Sequence, residues 1–152
     1  MTLSANDKRL IQVSFSKVEP IAEQAAEIFY AKLFEYDPRL RSLFKSDLTA
    51  QGRKLMQMLS TAVKGLDDLE SLIEPLQALA RRHLSYGVTV DDYTPVGNAL
   101  LYTLKAGLQS DFDQQTRQAW IKLFTVVATV MREAAYPEFN AATYVNRKVY
   151  NN

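Results

Sequence analysis

His83 is the single histidine of the chain. Leu76, Leu79 and Ala80 precede it by seven, four and three residues, the spacing of one helix face. An imidazole on that apolar face needs a partner for each ring nitrogen. A metal ion can be one such partner; a core histidine satisfied by a backbone carbonyl is the plainer reading. Gln51, 32 residues earlier, sets an amide among Leu48, Leu55, Met58, Leu59, Ala62 and Leu66 on a second apolar stripe. Tyr30 lies one turn from Leu33 and Phe34 on a third. Zinc or nonhaem iron needs several converging ligands, and with one histidine and no cysteine only carboxylates remain to join His83. Ser85 and Asp91 follow His83, yet no strained nucleophile turn with an oxyanion hole accompanies them. A haem asks for less: one axial imidazole, an apolar slot, a cation for its propionates and polar groups over the open iron face.

Helical periodicity runs nearly end to end, and no segment alternates with period two long enough to make a sheet, so the chain is expected to be all-helical. Ser4 and Asp7 form a capping pair before a helix carrying Leu10, Ile11, Phe15 and Val18, which stops near Pro20. A second helix starts at Pro20 and runs through Ala25, Ile28, Phe29 and Leu33 to about Tyr36. Asp37 and Pro38 open a short helical segment ending near Phe44, and Ser46 and Asp47 cap the long helix bearing Gln51. Pro75 predicts a break or a new start, with His83 on the helix beyond it and Gly87 at its C-terminus. Asp91 or Asp92 caps the next helix, whose buried face is Val96, Leu100, Leu101, Leu104 and Leu108. Asp111 or Asp113 opens the last, through Trp120, Phe124, Val127 and Met131 to about Tyr136, where Pro137 ends it. Residues 137–152 are expected to form a loose polar tail with Arg147 and Lys148, in which Tyr144, Val145 and Tyr150 are the side chains able to pack on the body or on a partner.

With 152 residues the chain suits one domain with a sizeable core. Lysine and arginine total 18 against 17 acids, which favours neither nucleic acid nor an anionic membrane. Absence of cysteine removes disulfides, thiolate ligands, thioether-attached haem and thiol nucleophiles. The first residues include Asp7, Lys8 and Arg9 without an apolar leader core, so a cytoplasmic location is expected. The strongly apolar run from Leu123 to Met131 falls well short of the roughly 20 residues that span a bilayer. The five glycines make no dinucleotide or phosphate-loop spacing.

Between residues 5 and 136 the chain resembles the globins, specifically single-domain bacterial haemoglobins of the flavohaemoglobin lineage, with some likeness to neuroglobin. Phe29-Tyr30-Ala31-Lys32-Leu33-Phe34, Asp37-Pro38 and Leu43-Phe44 resemble the family's second helix, its proline-started third helix and its phenylalanine against the porphyrin. Gln51-Gly52-Arg53-Lys54-Leu55-Met56 resembles the distal helix, and Arg81-Arg82-His83 with Tyr86-Gly87-Val88 and Tyr93 the proximal segment. The separation of Gln51 from His83 matches the flavohaemoglobin branch.

The resemblance implies a three-over-three helical sandwich around haem b (iron protoporphyrin IX), a globin domain over 1–136, and iron held by His83. It places Tyr30 and Gln51 beside bound dioxygen, Phe44, Leu55, Leu79 and Val88 around the porphyrin, and Tyr93 as a group tuning His83. Lys54 and Arg82 are candidates for propionate pairing, though exposed charges serve equally as solvated surface. Tyr30 as a core tyrosine bonded to backbone and Gln51 as a rim residue are the plainer alternatives. Flavohaemoglobins pair the tyrosine with a glutamate on the last helix; an ungapped register puts Ala135 there, with Glu133 nearby. The function implied is dioxygen storage, delivery or scavenging with slow release. Alternatives are a nitric oxide dioxygenase served by a separate reductase, a gas sensor (carbon monoxide being a further ligand), and a haem-free helical regulatory domain.

Overall fold

The computed structural model describes residues 3–45 and 47–146. Six α-helices and short 3₁₀ turns make up the regular structure of these residues: α1 (Ala5–Val18), α2 (Ala22–Tyr36), α3 (Leu48–Lys64), α4 (Glu70–Ser85), α5 (Tyr93–Leu108) and α6 (Gln114–Ala135). Local chemistry sets most boundaries. Ser4 and Asp7 exchange hydrogen bonds of 3.0 Å each way, a capping box that satisfies two otherwise orphaned N–H groups of α1. Pro20 lies in a 3₁₀ turn, Glu19–Ile21, that joins α1 to α2. Asp37 accepts from the backbone N–H of Arg39 and starts the 3₁₀ segment Pro38–Leu43. Asp47 caps α3 by accepting from Thr49, while its expected companion Ser46 lies outside the described residues. Asp113, not Asp111, caps α6.

Pro75 corrects the expectation of a break. α4 is continuous from Glu70 to Ser85 with Pro75 inside it. The proline removes one hydrogen bond from the second turn, but Leu72, Leu76 and Ala80 are buried in a cluster with Ala128, Met131 and Ala135 of α6. Burial of that stripe outweighs a single missing backbone bond. Gly87 ends the helix as expected: at φ +99° it lets Val88 N–H reach the carbonyl of His83 and Gly87 N–H that of Leu84, at 3.1 Å each.

Helices α1, α3 and α4 lie over α2, α5 and α6, giving the expected all-α sandwich. α1 rests on α6 and α5, α3 on α2, and α4 on α6. α3 and α4 make hardly any direct contact with one another. Trp120, fully buried, anchors the first core; its indole N–H donates to Ser14 Oγ at 2.9 Å, and Phe15 packs at 6.3 Å between ring centroids. A second core lies between α4 and the C-terminal half of α6, with Tyr93 and Tyr136. Beyond α6 the chain folds back. Tyr144 donates to Asp91 Oδ1 and stacks against the Arg132 guanidinium at 4.7 Å, so this part of the tail packs on the body, while Val145 is exposed. Tyr150, Arg147 and Lys148 lie outside the described residues.

Candidate functional site

The Asp37–Pro38 turn brings the chain back across α2 and sets Phe44 against Tyr30, with ring centroids 5.4 Å apart and edge to face. Phe34 completes an aromatic triangle, 6.0 Å from Tyr30 and 5.5 Å from Phe44. Tyr30 is buried, which pushes its hydroxyl pKa up to about 12. It is therefore a neutral donor at any physiological pH. No hydrogen bond engages that hydroxyl among the described residues, in contrast to the plainer reading of a tyrosine tied to backbone.

α3 approaches α2 at Gly52. A Cβ there would fall 2.8 Å from Ala26 Cβ and 3.8 Å from the Tyr30 ring, so the bare glycine sets the distance between the two helices. Its neighbour Gln51 is half-buried, as are Leu55, Met58 and Leu59 along the same stripe. Lys54 is exposed. Gly52 carried a faint signal: an isolated glycine inside a helical pattern gives up helix propensity, which points to a packing reason for it.

On α4, His83 is half-buried one turn after Leu79, itself half-buried. The His83 Nδ1 and the Leu79 carbonyl are 2.9 Å apart. A carbonyl can only accept, so Nδ1 carries the proton and Nε2 presents its lone pair. Burial lowers the His83 pKa, with the Arg82 charge adding to the effect and the Leu79 bond opposing it. No hydrogen bond reaches Nε2 among the described residues. Ser85 donates to the Arg82 carbonyl and Asp91 accepts from Tyr144, so neither is joined to His83 in a catalytic set.

Tyr93 does not bond to His83. Its hydroxyl is buried without a hydrogen-bond partner among the described residues, and the groups that act on it electrostatically are Tyr136, Arg132 and Asp92. Ala135 is buried in the same cluster and Glu133 is exposed, so neither brings a glutamate carboxylate to Tyr93. Tyr136, expected from the sequence only as the end of α6, donates to the carbonyl of half-buried Val88 at 2.5 Å and fixes the corner after His83. Arg82 is exposed.

Tyr30, Phe44 and Leu55 thus belong to one apolar cluster, and Leu79, Val88 and Tyr93 to the other. At the end where the clusters meet, a Cβ on Gly87 would be 3.4 Å from a Leu43 methyl, so the segment leading to Phe44 adjoins the corner after His83. Two helices that barely touch, each with a half-covered apolar stripe, suit a flat apolar macrocycle between them. A neutral imidazole with a committed Nδ1 and an available Nε2 suits its metal. The residues present fit a haem.

The chain is 31% identical over 145 residues to a neuroglobin of Chaenocephalus aceratus, covering 86% of this chain and 91% of that protein. It is 32% identical over 143 residues to a neuroglobin of Tetraodon nigroviridis, covering 85% and 90%, and 30% identical over the same length to one of Danio rerio. The globin family profile matches residues 27–131, and the chain belongs to the globin family.

Proposed function

We propose that this globin holds haem b between α3 and α4 and stores, delivers or scavenges dioxygen with slow release. The observation that carries the reading is the His83 Nδ1–Leu79 bond, because it fixes the tautomer an axial ligand needs. Haem supplies an iron that takes a diatomic gas at an open coordination position. The remaining roles belong to the chain's own side chains. His83 Nε2 ligates the metal. Phe44, Leu55, Leu79 and Val88 wall the macrocycle and exclude water, and Lys54 and Arg82 stand at the rim for its carboxylates. Tyr30 and Gln51 donate hydrogen bonds to the gas and retard its escape. Each neutral bond in a dry site is worth about 1 kcal/mol, so the pair slows release on the order of tenfold or more.

The Tyr30–Gln51 pair and its spacing from His83 support the single-domain flavohaemoglobin lineage within the family. Binding is favoured over nitric oxide turnover by the proximal side: Tyr93 is not bonded to His83, and Ala135 stands where the glutamate of that lineage is expected.

The test is an absorption spectrum of the purified protein with added haem, taken ferric, reduced, and reduced under carbon monoxide. A sharp Soret band that shifts with carbon monoxide and is lost in His83→Ala is expected. A free-haem spectrum would overturn the proposal and leave a helical interaction domain.

A further inference from the structure

His83 lies in the last turn of α4, and the corner that carries the chain on to α5 is held from far away in sequence. The Val88 N–H donates to the His83 carbonyl at 3.1 Å, so the corner begins on the backbone of the histidine itself. Within the corner, the Thr89 N–H donates to Asp92 Oδ2 at 2.8 Å and the Asp92 N–H to the Thr89 carbonyl at 3.1 Å. From α6, Tyr136 holds the Val88 carbonyl, and the Arg132 Nε–H donates to the Val90 carbonyl at 2.9 Å. The tail adds a third contact, the Tyr144 hydroxyl donating to Asp91 Oδ1. Val88, Val90 and Asp91 are thus each held by a side chain from α6 or the tail.

Tyr144 reaches Asp91 because the tail makes a compact turn around Asn140. Asn140 Oδ1 accepts from the Ala142 N–H at 2.9 Å, and its carbonyl accepts from the N–H groups of Thr143 and Tyr144 at 3.1 and 2.8 Å. Phe139 packs on the Tyr144 ring, with centroids 5.2 Å apart. Tyr144 in turn covers the Arg132 guanidinium at 4.7 Å, on the residue that holds Val90. A hydroxyl bonded to a carboxylate is among the stronger neutral-to-charged pairs, so this contact closes the corner more firmly than its half-buried position alone suggests. Groups bonded behind an axial ligand fix its orientation and limit its movement.

Resting on the haem reading of the α3–α4 slot, we propose that Tyr144 is a positioning residue for His83. The Tyr144–Asp91 bond closes the corner over residues 88–92, restrains the last turn of α4 and limits how far the imidazole follows the metal as gas binds and leaves. Loosening the corner lets the imidazole follow and slows gas release.

The experiment compares the full-length wild type with Tyr144→Phe. In the haem-free protein, hydrogen exchange read by mass spectrometry should quicken over residues 86–93 and stay unchanged in α1. In the haem-loaded, reduced protein, the iron–imidazole stretching band in the resonance Raman spectrum should shift, and oxygen release should slow at least about twofold. A tail with a merely structural role would move neither of these last two. Asp91→Ala should reproduce Tyr144→Phe, Asp91→Asn, whose amide oxygen still accepts, should restore the wild-type values, and Tyr144→Phe combined with Asp91→Ala should add nothing to either alone. A free-haem spectrum in the wild type would overturn the haem reading and this proposal together. Intact haem binding with an unchanged stretching band and release rate in Tyr144→Phe would overturn this proposal alone.

Discussion

The Nδ1 N–H of His83 donates to the carbonyl of Leu79, one turn earlier on the same helix, at 2.9 Å. Burial of the ring, helped by the Arg82 charge, outweighs the opposing effect of that bond and favours the neutral imidazole, so the folded-state pKa lies below 6.5. A depressed pKa means that the unfolded chain takes up the proton first. Stability is therefore full above about pH 6.5 and falls as pH drops from there through the folded-state pKa. Because the chain has no other histidine, urea unfolding of the haem-free protein between pH 7 and 5 should show this loss in the wild type and a flatter profile in His83→Gln. Equal slopes would contradict the burial of the ring.

Tyr30→Phe should leave stability nearly unchanged, since its hydroxyl has no protein partner among the described residues. Loss of one donor worth about 1 kcal/mol should speed oxygen release by roughly fivefold. With the Tyr30 pKa near 12, the wild-type off-rate should be flat from pH 6 to 9. Stopped-flow displacement by carbon monoxide reads both quantities. An unchanged off-rate would remove Tyr30 from the gas pocket.

Gly52→Ala and Gly107→Ala should move stability in opposite directions. A methyl on Gly52 meets Ala26 Cβ at 2.8 Å, and neither helix can yield without shifting the other. Overpacking of this kind costs ~1–3 kcal/mol, more than the gain in helix propensity. A methyl on Gly107 meets Ile21 Cδ1 at 3.4 Å, a flexible tip, so propensity prevails and the variant gains about 0.5–1 kcal/mol. Denaturant midpoints decide. Gly52→Ala should also alter oxygen release, because Gln51 rides on the displaced helix.

Ser14→Ala leaves the Trp120 indole N–H unpaired in the core, at a cost of about 1–3 kcal/mol. Fluorescence of the only tryptophan follows the unfolding directly. A loss below about 0.5 kcal/mol would show that this hydrogen bond contributes little.

Much of the fold was legible because its signals are local. The Ser4–Asp7 box, the Asp37–Pro38 turn and Gly87 each act within a few residues, and each ends or starts a helix where the sequence places it. Pro75 misled because its local penalty is offset by α6, about 50 residues away in sequence, a term no window on the sequence contains. The same limit applies at the site. His83, Leu79 and Gln51 are readable from helix spacing, whereas the environment of Tyr93 depends on Arg132 and Tyr136, and the docking of Tyr144 on Asp91. Arg132 left a faint trace, a cation next to Met131 near the end of an apolar helix.

The near-absence of contact between α3 and α4 divides the folded chain's cooperativity. Each helix is secured mainly to its own neighbours, α3 to α2 and α4 to α6, and the two share a core only around Ala62, Leu72 and Leu76. A cofactor seated between them as proposed would act as a joint between the two, and amide exchange in α3 and α4 is expected to converge when it binds. Its affinity then includes the free energy of coupling them.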